Sequence, residues 1–241
     1  MSAALGITLS GRHRIDGADL FQAQISLFAG GWTCLLGPSG VGKSTVLRLI
    51  LGLETGGAFE GEITASDGAP LKDCISYMAQ SDLLLPWLTV LENTLIGARL
   101  RGETPDHARA VRLLDRVGLS AHQNKKPAAL SGGMRQRAAL ARTLMEDRPA
   151  VFLDEPFSAL DAGTRADMQE LAADLLQERT VLLVTHDPAE AARLGDQIIV
   201  MSARSAETWP TPETAPIRDI NDPQTLRCQA DLLTHLREVT A

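Results

Sequence analysis

The chain has 241 residues, 44% hydrophobic and 22% charged, with 23 Lys and Arg against 30 Asp and Glu for a formal net charge of −7. That length holds one large α/β domain or two small ones, the acidic balance argues against a protein dedicated to wrapping nucleic acid, and dispersed charge with ordinary apolar content argues against disorder. No run approaches 18 uninterrupted apolar residues and Met1–Leu9 lacks the charged start and apolar core of a signal peptide, so a soluble cytosolic protein is expected.

Short apolar runs alternate with longer helical patterns, which points to a mainly parallel sheet. Trp32–Leu36 is the first clear strand, apolar throughout as a strand covered on both faces should be. A glycine-rich stretch, residues 37–45, follows it and opens a helix with Val46, Leu49, Ile50 and Leu53 on one face. Ile75–Ala79 is the next strand. Between Asp82 and Pro149 only helical pattern appears, in Asp106–Val117, stopped by Gly118, and in Gly132–Met145. This reads as a helical subdomain, about 82–149, inserted into a core of 1–81 and 150–205.

Strands resume at Val151–Leu153, Val181–Thr185 and Gln197–Met201, with Met168, Leu171, Ala172 and Leu175 forming one helix face between the first two. Past Ser205 the prolines Pro210, Pro212, Pro216 and Pro223 suggest an irregular connector. Asp222-Pro223 then looks like a cap and first-turn proline for a short amphipathic helix carrying Leu226, Leu233, Leu236 and Val239. That helix is expected to pack back on its own core, with partner docking as the alternative. Cys34, Cys74 and Cys228 lie far apart without metal-ligand spacing and read as reduced thiols.

Gly37, Pro38, Ser39, Gly40, Val41 and Gly42, followed by Lys43, Ser44 and Thr45, make a phosphate loop between strand and helix. Glycines let backbone N–H groups close around phosphate oxygens, and the helix N-terminus adds partial positive charge. Lys43 is placed for the β- and γ-phosphates, the Ser44 hydroxyl for Mg²⁺, and Thr45 for a phosphate oxygen further back. The expected ligand is a nucleoside triphosphate. Ala150–Leu153 then leads an apolar strand into two carboxylates. Asp154 is expected to hold Mg²⁺ directly or through water, and Glu155, on the opposite side of the pleat, to polarise an attacking water.

Leu130-Ser-Gly-Gly-Met-Arg-Gln-Arg137 resembles the signature motif of ATP-binding-cassette (ABC) ATPases. Gln80 after a strand, Ser158-Ala-Leu-Asp161 and Thr185-His186-Asp187 fall around it in the family's order, so the resemblance spans roughly residues 5–203 and rests on five motifs together. It implies a phosphate-loop NTPase (RecA-like) α/β core within residues 1–205, a small antiparallel β part at the N-terminus and an inserted α-helical subdomain. Residues 206–241 would be the connector and a C-terminal helix packed on the core.

The resemblance also implies roles. Ser131, Gly132 and Gly133 start a helix and offer an anion site. In the family's head-to-tail homodimer they face the γ-phosphate held by the other subunit. Gln80 would sense Mg²⁺ and the attacking water, Asp161 would connect the two sites, and His186 would touch the γ-phosphate and orient the water. Two departures stand out. Met134 occupies a position where most relatives carry Gln, with Ser-Gly-Gly intact. The upstream aromatic that stacks on adenine is missing, leaving Arg12, His13 or Phe21 as candidates.

Residues after Gln80 read Ser81-Asp-Leu-Leu-Leu-Pro-Trp-Leu-Thr-Val-Leu-Glu-Asn93. With the Met-containing signature this stretch is similar to importers of nitrate, sulfonates, taurine and thiamine-pyrimidine precursors. Leu83 to Leu85 read equally as subdomain core or as partner contact, while Trp87 after a proline is the better contact candidate. The resemblance then implies an ATPase on the inner face of the cell membrane, serving integral permease subunits and, through them, a solute-binding protein. A soluble ABC ATPase of DNA repair or translation is the rival. It would carry a coiled-coil insertion, a second cassette or a basic surface, none of which appears, so no nucleic-acid partner is expected.

Overall fold

In the computed structural model, which describes residues 4–202 and 205–240, the chain runs β1 (Ile7–Ile15), β2 (Ala18–Ser26), β3 (Trp32–Leu36), α1 (Lys43–Ile50), β4 (Ala58–Ala65), β5 (Ile75–Met78), α2 (Val90–Thr94), α3 (Ile96–Leu100), α4 (His107–Arg116), α5 (Gly132–Met145), β6 (Ala150–Asp154), α6 (Ala162–Leu175), β7 (Thr180–Val184), α7 (Pro188–Leu194), β8 (Gln197–Met201), β9 (Ala206–Trp209) and α8 (Pro223–Thr240). Two compact units divide it. One comprises Met1–Ile75, Pro149–Asp154 and Gln177–Ala241; the other comprises Ser76–Arg148 and Glu155–Leu176. The helical unit therefore starts earlier than residue 82 and takes α6 with it, where the sequence reading assigned that helix to the core.

In the first unit a six-stranded sheet runs β6-β7-β3-β8-β9, its remaining strand β5 being where the chain passes into the second unit. β3 pairs in parallel with β7 and β8, Cys34 lying opposite both Leu183 and Ile198. Every residue of β3, β6 and β7 is buried, which is why those strands read as unbroken apolar runs. β9 was not expected. Ala206–Trp209, read as irregular connector, pairs antiparallel with β8 as an edge strand and needs no apolar run to do so. A separate antiparallel sheet, β2-β1-β4, alternates as a one-sided sheet must: Ile7, Leu9 and His13 of β1 and Phe21, Ala23 and Ile25 of β2 are buried.

Three helices complete this unit. α1 buries Val46, Leu47 and Ile50 and ends before Leu53, which is 50% exposed, so the expected stripe is shifted by Leu47. α8 departs further. Its N-terminus is capped as expected, the Asp222 carboxylate accepting from the Thr225 N–H at 2.9 Å. Its buried face, however, is Thr225, Cys228 and Leu232, while Leu226 and Leu233 are 49% and 43% exposed; the Val239 side chain lies outside the described residues. α8 packs on α7. Between them Arg218 is buried and donates to the carbonyls of Ala192, Gly195, Pro212 and Thr214, tying the connector down. Burial pushes the thiols of Cys34 and Cys228 up, which suits unreactive free cysteines.

The second unit is built on helices. Ala138 to Ala141 and Leu144 of α5 are buried with Ala110, Leu113 and Leu114 of α4. Thr89 caps α2 in a capping box with Glu92. Among the described residues no helix is long and apolar enough to cross a membrane.

Candidate functional site

The first unit assembles the phosphate loop where β3 hands over to α1. Gly42 is the helix N-cap at φ 104°, and a Cβ there would lie 2.8 Å from Phe21, so conformation and space both require glycine. Gly37 is as constrained, since a Cβ would run into the Met201 carbonyl. Lys43 is buried, and its Nζ donates to the carbonyls of Gly37 at 2.7 Å and Pro38 at 2.8 Å. The loop is thereby closed around its own ammonium.

Asp154 ends β6, buried, with its Oδ1 3.4 Å from the Ser44 hydroxyl. A hydroxyl and a carboxylate side by side are the hard oxygen donors Mg²⁺ takes, and one or two protein ligands suffice because the ion keeps water and phosphate oxygens. The residues present fit the ion. His186 follows β7, exposed, in a turn held by Thr185, whose hydroxyl donates to Glu190 at 2.6 Å and accepts from the Asp187 N–H at 3.1 Å. His186 shares the walls of a cavity of about 480 Å³ with Gly37, Pro38 and Ser39.

The second unit holds the other predicted residues. Glu155 stands at φ 49°, a left-handed conformation uncommon for a side chain of this size and characteristic of functional positions. Three side chains hold it. Gln80 Nε2 donates to the carboxylate at 3.0 Å, while Gln136 Nε2 and the Ser158 hydroxyl donate to the backbone carbonyl at 3.1 and 3.0 Å. Gln136, buried in α5, was quoted within the signature but given no role by sequence reasoning. No local spacing singles it out, because Arg135, Arg137 and Arg142 share the helix with it.

Ser131 is the N-cap of α5, its hydroxyl accepting from the Met134 N–H at 3.3 Å, and Ser131 and Gly132 are exposed. The helix start is thus open to an anion. Asp161 caps α6 in the same way, and its hydrogen bonds from Thr164 hold the carboxyl below its usual range. Past Gln80 the chain exposes Leu83 at 62% and Trp87 at 65%. Leu83 sits at φ 46°, with Arg142 donating to the carbonyls of Asp82 and Leu83 at 2.7 and 2.8 Å. Asn93, fully buried, accepts from the Leu85 N–H and donates to the carbonyls of Leu85, Leu88 and Thr89. Of the expected apolar run only Leu84 is buried.

The adenine candidates fare differently from expectation. His13 and Phe21 are buried and stacked on each other, centroids 5.9 Å apart, and His13 Nε2 lies 2.8 Å from the Thr55 hydroxyl. Neither ring is presented for stacking on a ligand. Arg12 is partly exposed and engages Glu60 through Nε and Nη2 at 2.9 and 2.6 Å.

Residues 20–158 match the family described as ABC transporter. The chain is 45% identical over 223 residues, 91% of its length and 90% of the relative's, to an uncharacterized ABC transporter ATP-binding protein of Haemophilus influenzae. It is 44% identical to the aliphatic sulfonates import ATP-binding protein SsuB 1 of Rhodococcus jostii, over 82% of this chain and 80% of that one. Among solved structures it resembles a dimeric ATP-binding cassette in a post-hydrolysis state with ADP and Pi, at 29% identity and TM-score 0.74, covering 88% of this chain and 99% of the other.

Proposed function

This chain belongs to the ABC transporter family as an ATP-hydrolysing cassette, and from that premise we propose that it powers an importer, driving uptake of a small solute of the nitrate, sulfonate, taurine or thiamine-precursor kind through a separate permease. The observation that carries this reading is the exposed, braced segment from Leu83 to Trp87. Leu83 and Trp87 lie exposed near each other along the chain in a turn held by Asn93 and Arg142, and an exposed indole in a fixed position is the kind of anchor a partner pocket receives. The permease docks there, on the inner face of the membrane, and an external solute-binding protein delivers the solute to the complex. Relatives named for aliphatic sulfonate import support the solute class.

In the catalytic cycle Lys43 and the backbone of residues 37–45 bind the triphosphate. Ser44, Asp154 and Gln80 would hold Mg²⁺, and the ion would neutralise charge on the phosphates. Glu155 accepts a proton from the attacking water, oriented by its bond from Gln80, and His186 donates to the γ-phosphate. Ser131, Gly132 and Gly133 present their helix N-terminus to ATP held by a second copy, and Asp161 links the two sites of that homodimer.

Mild-detergent purification of the tagged chain from its own membranes, followed by mass spectrometry, tests the importer reading. An integral membrane protein is expected with the wild type and is depleted with Trp87→Ala. Recovery of only soluble partners or nucleic acid overturns it.

A further inference from the structure

The last turns of α8 form one wall of the cavity beside the phosphate loop: Leu233, Leu236 and Arg237 face Gly37, Pro38, Ser39, His186 and Pro188. This face is not what holds the helix in place, because α8 is anchored through Thr225, Cys228 and Leu232. Leu233 stays 43% exposed, and Arg237 is exposed and makes no salt bridge among the described residues. Leu233 and Arg237 are four residues apart, so they share one face of α8. The result is an apolar shelf with one permanent cation, set against the residues that meet the terminal phosphate in the function proposed above.

The phosphates have their own ligands in the loop amides and Lys43 in the function proposed above, and half of the eight residues lining the cavity are leucine or proline, surface that wants an apolar or small-residue cover. A segment of small and acidic residues matches the shelf better. The chain exposes one: Ser158, Ala159 and Asp161 face solvent in the loop before α6. We propose that this face of α8 is part of the surface on which a second copy of the chain seats in the ATP-bound dimer, Arg237 meeting Asp161 of the partner subunit and Leu233 covering the small residues beside it. The proposal rests on the dimer reading and adds to it an element that none of the motifs contains.

The test uses the full-length Glu155→Gln chain, which holds ATP without consuming it, in sedimentation velocity with saturating Mg-ATP. Leu233→Asp and Arg237→Glu, each added separately, are expected to weaken dimerisation about ten-fold or more. ATP affinity, read with a fluorescent nucleotide at concentrations where the chain is monomeric, stays unchanged. Leu226→Asp, equally exposed on α8 but away from the cavity, leaves the dimer intact and controls for damage to the helix. Unaltered dimerisation in both variants overturns the proposal. So does a loss of monomer ATP affinity in Arg237→Glu, which makes the arginine a nucleotide contact. A Glu155→Gln chain that stays monomeric at saturating ATP overturns the dimer reading itself, and this inference with it.

Discussion

Gln80 donates to the carboxylate of Glu155 across 75 positions of sequence, at 3.0 Å. The bond orients an acceptor that the backbone already holds in a left-handed conformation. Gln136 and Ser158, both bonded to the Glu155 carbonyl, stop that conformation from relaxing. The proposed base is thus held by the side chains of Gln80, Gln136 and Ser158 rather than by regular secondary structure.

Glu155→Gln keeps the size and hydrogen-bonding reach of the side chain and removes its basicity. Phosphate release should fall about 10²–10⁴-fold while ATP affinity is retained. Single-turnover assays alongside equilibrium nucleotide binding check this, and wild-type turnover in the variant would remove Glu155 as the base.

Lys43→Ala deletes a buried ammonium that closes the loop through the Gly37 and Pro38 carbonyls. Both the charge on the phosphates and the shape of the loop are lost, so ATP affinity should drop by about two orders of magnitude or more. Lys43→Arg should not rescue it, because the planar guanidinium cannot fill the same position as a compact ammonium. Isothermal titration with ATP is the measurement.

Burial holds the His13 imidazole below its ordinary value of 6.5. The folded state therefore prefers the neutral ring, and stability that is complete above that value is lost as the pH falls below it and the unfolded chain gains the proton first. Calorimetry between pH 7.5 and about 5 should show a steeper fall in melting temperature for wild type than for His13→Gln. Parallel curves would contradict the assignment.

Asn93→Ala strips partners from three carbonyls and one N–H around the Leu85–Thr89 turn. A loss of about 3 kcal/mol is expected, since buried polar groups left unpaired cost more than the bonds themselves contribute. Urea unfolding checks the figure, and permease capture should weaken with it because Trp87 loses its support.

Legibility in the sequence followed burial. β3 and β8 were read at their true limits because their apolar runs leave a helical period no room. β9 was not, since an edge strand such as Ala-Glu-Thr-Trp is defined by its neighbour's backbone rather than by its own pattern. The sheet of β1, β2 and β4 entered only through family resemblance, its alternation being interrupted by Gly11, Arg12 and Arg14. In α8 the leucines suggested one stripe and the structure buried another, because Thr225 and Cys228 pack as well as they do and look polar or neutral on paper. The motifs pointed to Lys43, Asp154 and His186 as site candidates, and the structure places Lys43 in the phosphate loop, Asp154 beside Ser44 and His186 in the wall of the same cavity as Gly37. What holds Glu155 in place, Gln136 above all, depends on contacts between distant segments that no local spacing encodes.

Asn93 braces the turn that carries Trp87 entirely through main-chain atoms. The bracket and the label it displays are therefore separable. Residues 86 and 87 can be exchanged without touching the bonds that keep the turn in shape, so on the proposed docking role a lineage of such chains is readdressed from one permease to another by point substitution, with the engine behind the label left as it was.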